Sequence, residues 1–316
     1  MTVGGVREEV VDYSGYDFAR RWVGRSRVTE VEGAVLSDAL RSGDARRLLD
    51  IGTGFGRLWM HSCAASRESV ALDFDLEQLR RLPSVGPDHP SYRIAANLYH
   101  LPFVDGAFTM GTMVRVYHHL ADPLAALREA ARVLRRGGRL VVSYNPKPSL
   151  GTIVHDLKRA LGPNAGSAGP SFTFGTDRTR VDAGPLPSFV SRRADFHRTA
   201  SEAGFRCVSE VVTGLEEYAI FRRAPAPWFV HLGQALPRAP AFPTRFAILE
   251  RVGGFDGAVP GTREILACPR CATALDRAVG PDRIVCPKCG YSGSNLEGVM
   301  DLRYVPEGAR RWRARE

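Results

Sequence analysis

At 316 residues the chain is long enough for one large core and an accessory module, and its 44% hydrophobic and 24% charged fractions are those of a soluble globular protein. No apolar run approaches the roughly 18 residues of a membrane span, and residues 1–15 lack a signal-peptide core, so a cytoplasmic protein is expected. The net charge of +9 invites a nucleic-acid partner, yet 20 basic residues stand against 17 acidic in 1–150, 13 against 10 in 151–262 and 10 against 7 in 263–316; nucleic-acid binders instead concentrate their charge on one face.

Taken in order, residues 1–45 read as a helical cap. Tyr13, Tyr16, Phe18 and Trp22 sit among arginines, and Val28, Val31, Val35 and Leu40 follow a helical pattern. Such a segment either packs on a sheet edge or acts as a lid whose aromatics cover a ligand. Residues 47–51 form an apolar strand carrying Asp50, and Gly52, Gly54 and Gly56 make a GxGxG turn, not the GxGxxG of dinucleotide folds. Glycine lets a ligand lie on the backbone there, and a helix starting near Phe55 would aim N–H groups at a carboxylate or phosphate.

Residues 69–73 are a second strand ending in Asp73, seventeen residues after Gly56, where a carboxylate can accept both hydroxyls of a ribose. Residues 92–95 read as the third strand, followed by Asn97 and Leu98, and 108–114 as the fourth. Asp122 and Pro123 start a helix with a stripe of Leu124, Leu127, Ala131 and Leu134, ended by Gly137 and Gly138. The fifth strand is 139–144, and 145–190 is a Gly-, Pro- and Ser-rich insertion. A helix over 192–203 and a sixth strand over 205–212 follow, then a proline-punctuated segment expected to pack beneath the sheet. Residues 262–267 have the partly alternating pattern of one more strand.

Cys268 with Cys271 and Cys286 with Cys289 are two CxxC knuckles separated by fourteen residues, a spacing that suits a tetrahedral zinc site. Rubredoxin-like iron is the rival, although Ala272 stands where such sites usually have Gly. Four thiolates saturate the metal, so the ion would be structural.

Residues 48–57, 71–73, Leu101-Pro102-Phe103 with Asp105-Gly106-Ala107-Phe108, His118-His119-Leu120 and 133–140 together resemble a class I S-adenosylmethionine-dependent methyltransferase. The likeness spans roughly residues 45–215 and follows the pattern LPF-x-DG-x-F, HHL, VL-x-x-GG-x-L. It implies an α/β, Rossmann-like seven-stranded sheet whose last strand is antiparallel and inserted between the fifth and sixth, with 262–267 as the candidate. It also implies S-adenosylmethionine as cofactor, held by Asp50, Gly52, Gly54, Gly56, Asp73, Phe74, Asn97, Leu98 and Arg115. Asn97 stands where the family often has an Asp facing adenine, and can accept through its carbonyl oxygen.

Exocyclic-amine methyltransferases of this class carry an Asn/Asp-Pro-Pro-aromatic tetrapeptide after the fourth strand; here the residues are Arg115, Val116, Tyr117 and His118. His118 is a candidate general base, or simply a packed side chain. Residues 265–303 resemble zinc ribbons attached to some rRNA guanine methyltransferases and free-standing ribbons that activate RNA, protein and tRNA methyltransferases. The organisation expected is a cap at 1–45, a methyltransferase domain at 46–267, a ribbon at 268–303 and a basic tail at 304–316, the tail a frayed helix or a phosphate contact. The expected function is methylation of a small molecule; RNA methylation with the ribbon as a docking element, and a non-catalytic cofactor-binding scaffold, are the alternatives.

Overall fold

The computed structural model describes residues 9–12, 16–147, 178–181, 188–217, 221, 224–239, 242–257, 260–261, 264–275, 280 and 282–313. Most of the 145–190 insertion and the start of the 262–267 segment therefore lie outside the described residues. The chain opens with strand β1 (Glu9–Asp12), helix α1 (Phe18–Trp22) and helix α2 (Ser26–Arg41). The core then runs β2 (Arg47–Ile51), α3 (Trp59–Ala65), β3 (Glu68–Asp73), α4 (Leu76–Arg80), β4 (Ser91–Ala95) and β5 (Phe108–Met113). Next come α5 (Pro123–Val133), β6 (Leu134–Tyr144), β7 (Arg178–Val181), β8 (Ser188–Ser191), α6 (Arg193–Glu202) and β9 (Phe205–Thr213). Last are α7 (Ala226–Ala235), β10 (Thr244–Arg251), β11 (Arg283–Val285), β12 (Ser292–Leu296), β13 (Val299–Asp301) and β14 (Arg310–Arg313).

The main sheet has ten strands in the order β11-β12-β13-β4-β3-β2-β5-β6-β10-β9. Its central part, β4-β3-β2-β5-β6-β10-β9, has the seven-stranded arrangement expected, with β10 antiparallel to both β6 and β9. The strand that fills this place is Thr244–Arg251, not 262–267. A strand inserted between two others is covered on both faces, and Phe246, Ala247, Ile248 and Leu249 supply the continuous apolar run this demands. Leu266 and Ala267 instead make single antiparallel bridges, to Phe103 and to Ala274, and form a seam between the 101–104 loop and the cysteine module.

The three additional strands belong to that module, which continues the sheet: β13 pairs in parallel with β4, Val299 opposite Arg93 and Asp301 opposite Ala95. The junction is apolar as well as hydrogen-bonded. Leu275, Ile284 and Leu302 are fully buried in one cluster with Leu72, Ile94 and Phe103. The described part of the basic tail is not a helix: β14 pairs in parallel with β1, Glu9 opposite Arg310 and Asp12 opposite Arg313.

Two local differences have clear causes. The helix after the glycine turn begins at Trp59, not near Phe55, because Gly52, Gly54 and Gly56 all take left-handed φ (73°, 56° and 85°) and no helix can propagate through them. Helix α5 starts as expected, with the Asp122 carboxylate accepting from Ala125 N at 2.9 Å, but it ends at Val133. Gly137 and Gly138 lie inside β6, and a Cβ on Gly138 would come within 3.0 Å of Thr109 O on β5. The proline-rich segment that was expected under the sheet contributes α7, whose Val230 packs with Val35 and Leu36 of α2 and Val211 of β9. Among the described residues no helix is long and apolar enough to cross a membrane.

Candidate cofactor site and cysteine centre

The carboxyl ends of β2, β3, β4 and β5 open onto a cavity of about 170 Å³. In parallel α/β sheets this crevice is where ligands bind. Of the residues expected there, Asp50, Gly52, Gly54, Asp73, Phe74, Asn97, Leu98 and Arg115 all line it. Gly56 does not; a Cβ there would meet Leu82 Cδ2 at 2.5 Å, so this glycine serves packing. Gly54 differs, for its nearest neighbour would be Gln78 Oε1 at 3.5 Å, leaving the backbone open to the cavity.

Asp73 grips the glycine turn. One carboxylate oxygen accepts from Gly54 N at 2.8 Å and the other from Asp75 N at 2.9 Å. Phe74 N also bonds to this carboxylate, and of its roughly four lone-pair sites at least one remains for a ligand hydroxyl. Asp50 accepts from Thr112 Oγ1 at 2.6 Å and from Ser62 Oγ at 3.4 Å. Burial pushes both acids up to about 6, against the pull of these donors. The cavity therefore holds two carboxyls whose ionised forms a cation would favour. Asn97 is buried, its Oδ1 accepting from Tyr99 N and its Nδ2 donating to Tyr304 O, both at 3.1 Å. Its amide thus ties the third strand's loop to the chain beyond the cysteine module.

Several lining residues were not among the expected set. Trp22 and Val10 reach the cavity wall from the N-terminal segment. Arg57 directly follows the glycine turn, and Glu32 on α2, fully buried, pairs with Arg57 at 2.5 Å and with Arg115 at 2.5 Å. Burial opposes Glu32's charge, but Arg115 and Arg57 together outweigh it and hold its carboxyl below the usual range. Proximity to GxGxG was the only sequence signal for Arg57, and Glu32 had none. The histidine rings lie with centroids 4.0 Å apart and planes tilted by 46°; His119 lines the cavity, whereas His118 is buried and is absent from the lining.

A separate trio, His197, Cys207 and Glu210, lies close enough to suggest a metal. Arg193 already pairs with Glu210 at 2.5 Å and Tyr144 Oη donates to it at 2.9 Å, while burial pushes the Cys207 thiol up to about 11. This is an ionised buried acid whose charge Arg193 balances, with a protonated thiol beside it.

The four module cysteines converge, with all their sulfurs within 4.8 Å of one another. Cys268 and Cys289 sulfurs are 3.6 Å apart, as are those of Cys271 and Cys286. Sulfurs at about 2.3 Å from a tetrahedral zinc would lie roughly 3.8 Å from each other, so the donor set fits. The two knuckles are alike: Ala272 N donates to Cys268 O at 2.8 Å, and Gly290 N to Cys286 O at 3.0 Å. Both residues after the second cysteine are left-handed, Ala272 at φ 58° and Gly290 at φ 71°.

Residues 49–142 match the family model described as a methyltransferase domain. The demethylmenaquinone methyltransferase of Chlamydia trachomatis is 29% identical over 164 residues, 49% of this chain and 70% of that protein. That of Renibacterium salmoninarum is 34% identical over 158 residues, 48% of this chain and 62% of its own length. Among solved structures, a chain of the complex between the Haloferax volcanii Trm112 methyltransferase activator and a methyltransferase superposes with a TM-score of 0.50 at 16% identity, covering 76% of this chain and 100% of that one; this likeness concerns the fold. The strand order, the glycine turn with its acid at the end of β3, and the domain matched over residues 49–142 together support a class I S-adenosylmethionine-dependent methyltransferase.

Proposed function

We propose that the enzyme transfers the sulfonium methyl of S-adenosylmethionine to a small-molecule acceptor. The observation that carries this is the run of curated relatives named for demethylmenaquinone, a small molecule, across the methyltransferase core. The absence of the amine-directed tetrapeptide after β5, where Arg115, Val116, Tyr117 and His118 stand, agrees with it. In this reading Gly52 and Gly54 let the cofactor approach the backbone, Asp73 holds the ribose diol, and Phe74, Asn97 and Leu98 line the adenine. Asp50 faces the cationic amino-acid end. His119, not His118, stands at the cavity wall for any proton transfer, although methyl transfer from a sulfonium can proceed on alignment alone.

The four cysteines would hold one structural zinc, with no open position for catalysis. An RNA acceptor draws little support from the even charge distribution and from the use of the module's edge strand inside the sheet. Release of S-adenosylhomocysteine on adding a small-molecule quinol panel, with none on adding bulk RNA, is the expected result. Turnover with RNA alone would overturn the assignment.

A further inference from the structure

Beyond the cysteine module, residues 302–313 touch the wall of the cavity, although Leu302, Arg303 and Tyr304 do not themselves line it. Leu302 N donates to Ala95 O at 2.8 Å, which carries the chain off the end of β13 alongside β4. The Arg303 guanidinium then lies over Phe74, 5.7 Å from the ring centroid, a distance at which a cation is drawn to an aromatic face. Tyr304 O accepts from Asn97 Nδ2 at 3.1 Å. Phe74 and Asn97 are both wall residues. A further contact is made by backbone. Val10 on β1 also lines the cavity, and β1 sits in a two-stranded sheet with β14, Val10 opposite Arg311.

The first anchor is rigid because the module holds it. Arg303 folds back on Asp301, donating from N, Nε and Nη2 at 3.2, 2.8 and 2.6 Å, and its carbonyl accepts from Tyr291 Oη at 3.3 Å. Tyr291 O in turn accepts from Cys286 N at 2.8 Å, inside the second knuckle. The Tyr304 ring meets those of His100 and Tyr291 edge-on, at centroid distances of 5.1 and 6.2 Å. The second anchor is weak by itself. Among the described residues β1 pairs with no strand but β14, and a lone pair of four-residue strands is marginal in water. A turn at 306–309 leads from one anchor to the other, closed by Ala309 N on Pro306 O at 3.1 Å with Gly308 left-handed at φ 84°. From Tyr304 to Arg310 the chain reaches roughly 20 Å at most, so both anchors belong to one cavity mouth.

A wall residue held by a marginal strand pair moves when that pair opens, whereas Phe74 and Asn97 stay with the module. We infer that residues 302–313 form a strap across the cofactor cavity, anchored by the cysteine module at Phe74 and Asn97 and latched by β14 on β1 at Val10, so that release of the cofactor waits on the opening of that strand pair. This deepens the proposed function and rests on its reading of the cavity. The strap acts on the wall and not on the ligand. The coupling is reciprocal: whatever factor the latch adds to cofactor affinity, bound cofactor adds to the closure of the latch.

The test uses S-adenosylhomocysteine as the probe, in two measurements. In the first, β14 is broken in the full chain by Arg311→Pro with Trp312→Pro; successive strand residues alternate in facing the partner, so one of the two prolines removes a ladder N–H. Calorimetry should show an affinity loss of about tenfold, the net worth of one or two backbone hydrogen bonds, and surface plasmon resonance should show most of it as faster dissociation. The melting temperature should stay within about 2 °C of wild type, because β1 and β14 form a sheet separate from the main one. In the second, the unaltered chain is digested with trypsin, whose sites include Arg310, Arg311 and Arg313. Saturating S-adenosylhomocysteine should slow cleavage there by about the same tenfold, since cleavage of a transiently opened pair tracks its open population. Unchanged affinity and dissociation in the proline variant, or unchanged cleavage with ligand bound, would overturn the strap while leaving the cofactor site standing. Should the variant not fold, the trypsin result alone decides. An unaltered protein that binds no S-adenosylhomocysteine would remove the reading of the cavity, and the strap with it.

Discussion

Replacing Cys286 by Ser tests whether the cysteine module holds up the methyltransferase core. The variant removes one of four converging thiolates, and the wild-type protein should carry one zinc per chain by elemental analysis. Leu275, Ile284, Val299 and Leu302 are each 0% exposed, and all four come from the module into clusters shared with the core. Burying such side chains contributes about 1.5–3 kcal/mol each, so undocking the module would forfeit about 6–12 kcal/mol. A domain's net stability is roughly 5–15 kcal/mol, of the same order. The module also covers the edge of β4, where Leu302 N donates to Ala95 O at 2.8 Å. Losing the metal should therefore melt the whole protein, not the module alone. Thermal melts of Cys286→Ser, and of wild type with a chelator, should fall by more than about 10 °C in a single transition, at roughly 2–4 °C per kcal/mol. An unchanged melting temperature after complete metal removal would refute the coupling, and finding iron would refute the zinc assignment.

Three further outcomes are expected. Ala272→Gly relieves a left-handed alanine at φ 58° and should stabilise the protein by about 1 kcal/mol, read as a higher denaturation midpoint; a lower one would mean that the methyl group packs usefully. Glu32→Ala leaves two guanidiniums facing each other without their common carboxylate, and should cost about 3–5 kcal/mol in chemical denaturation, whereas a loss near zero would make the cluster no more than a surface pair. Asp50 and Asp73 stand at about 6, above the ordinary 3.8, so their contribution to the free fold is fully present below pH 3.8 and is lost as pH rises through 6. The cofactor reverses that preference, because its cationic end at Asp50 and its ribose diol at Asp73 both favour an ionised carboxylate: S-adenosylmethionine affinity should rise between about pH 5 and pH 7, with proton release seen by calorimetry in buffers of different ionisation enthalpy, and flat affinity would separate both acids from the cofactor.

What the chain's own order of residues determined is everything that rests on short-range spacing. The GxGxG turn and the acid seventeen residues beyond it specify a ligand-facing strand edge, because φ freedom and strand length are local properties. The paired CxxC knuckles specify a four-sulfur centre for the same reason. Tertiary structure decided the partnerships between distant segments. Glu32 meets Arg115 across 83 positions, and Asn97 reaches Tyr304 across 207. Thr244–Arg251 takes the inserted place in the sheet, and β13 continues the sheet beyond β4, because each strand edge must find a partner and each apolar face a cover. A strand-like pattern says that a segment can pair, but only the packed sheet says with which neighbour. Even Arg57, one residue from the glycine turn, gains its chemical meaning from an acid and a tryptophan brought in by the N-terminal helices, where burial converts an ordinary surface residue type into part of an ion-pair cluster.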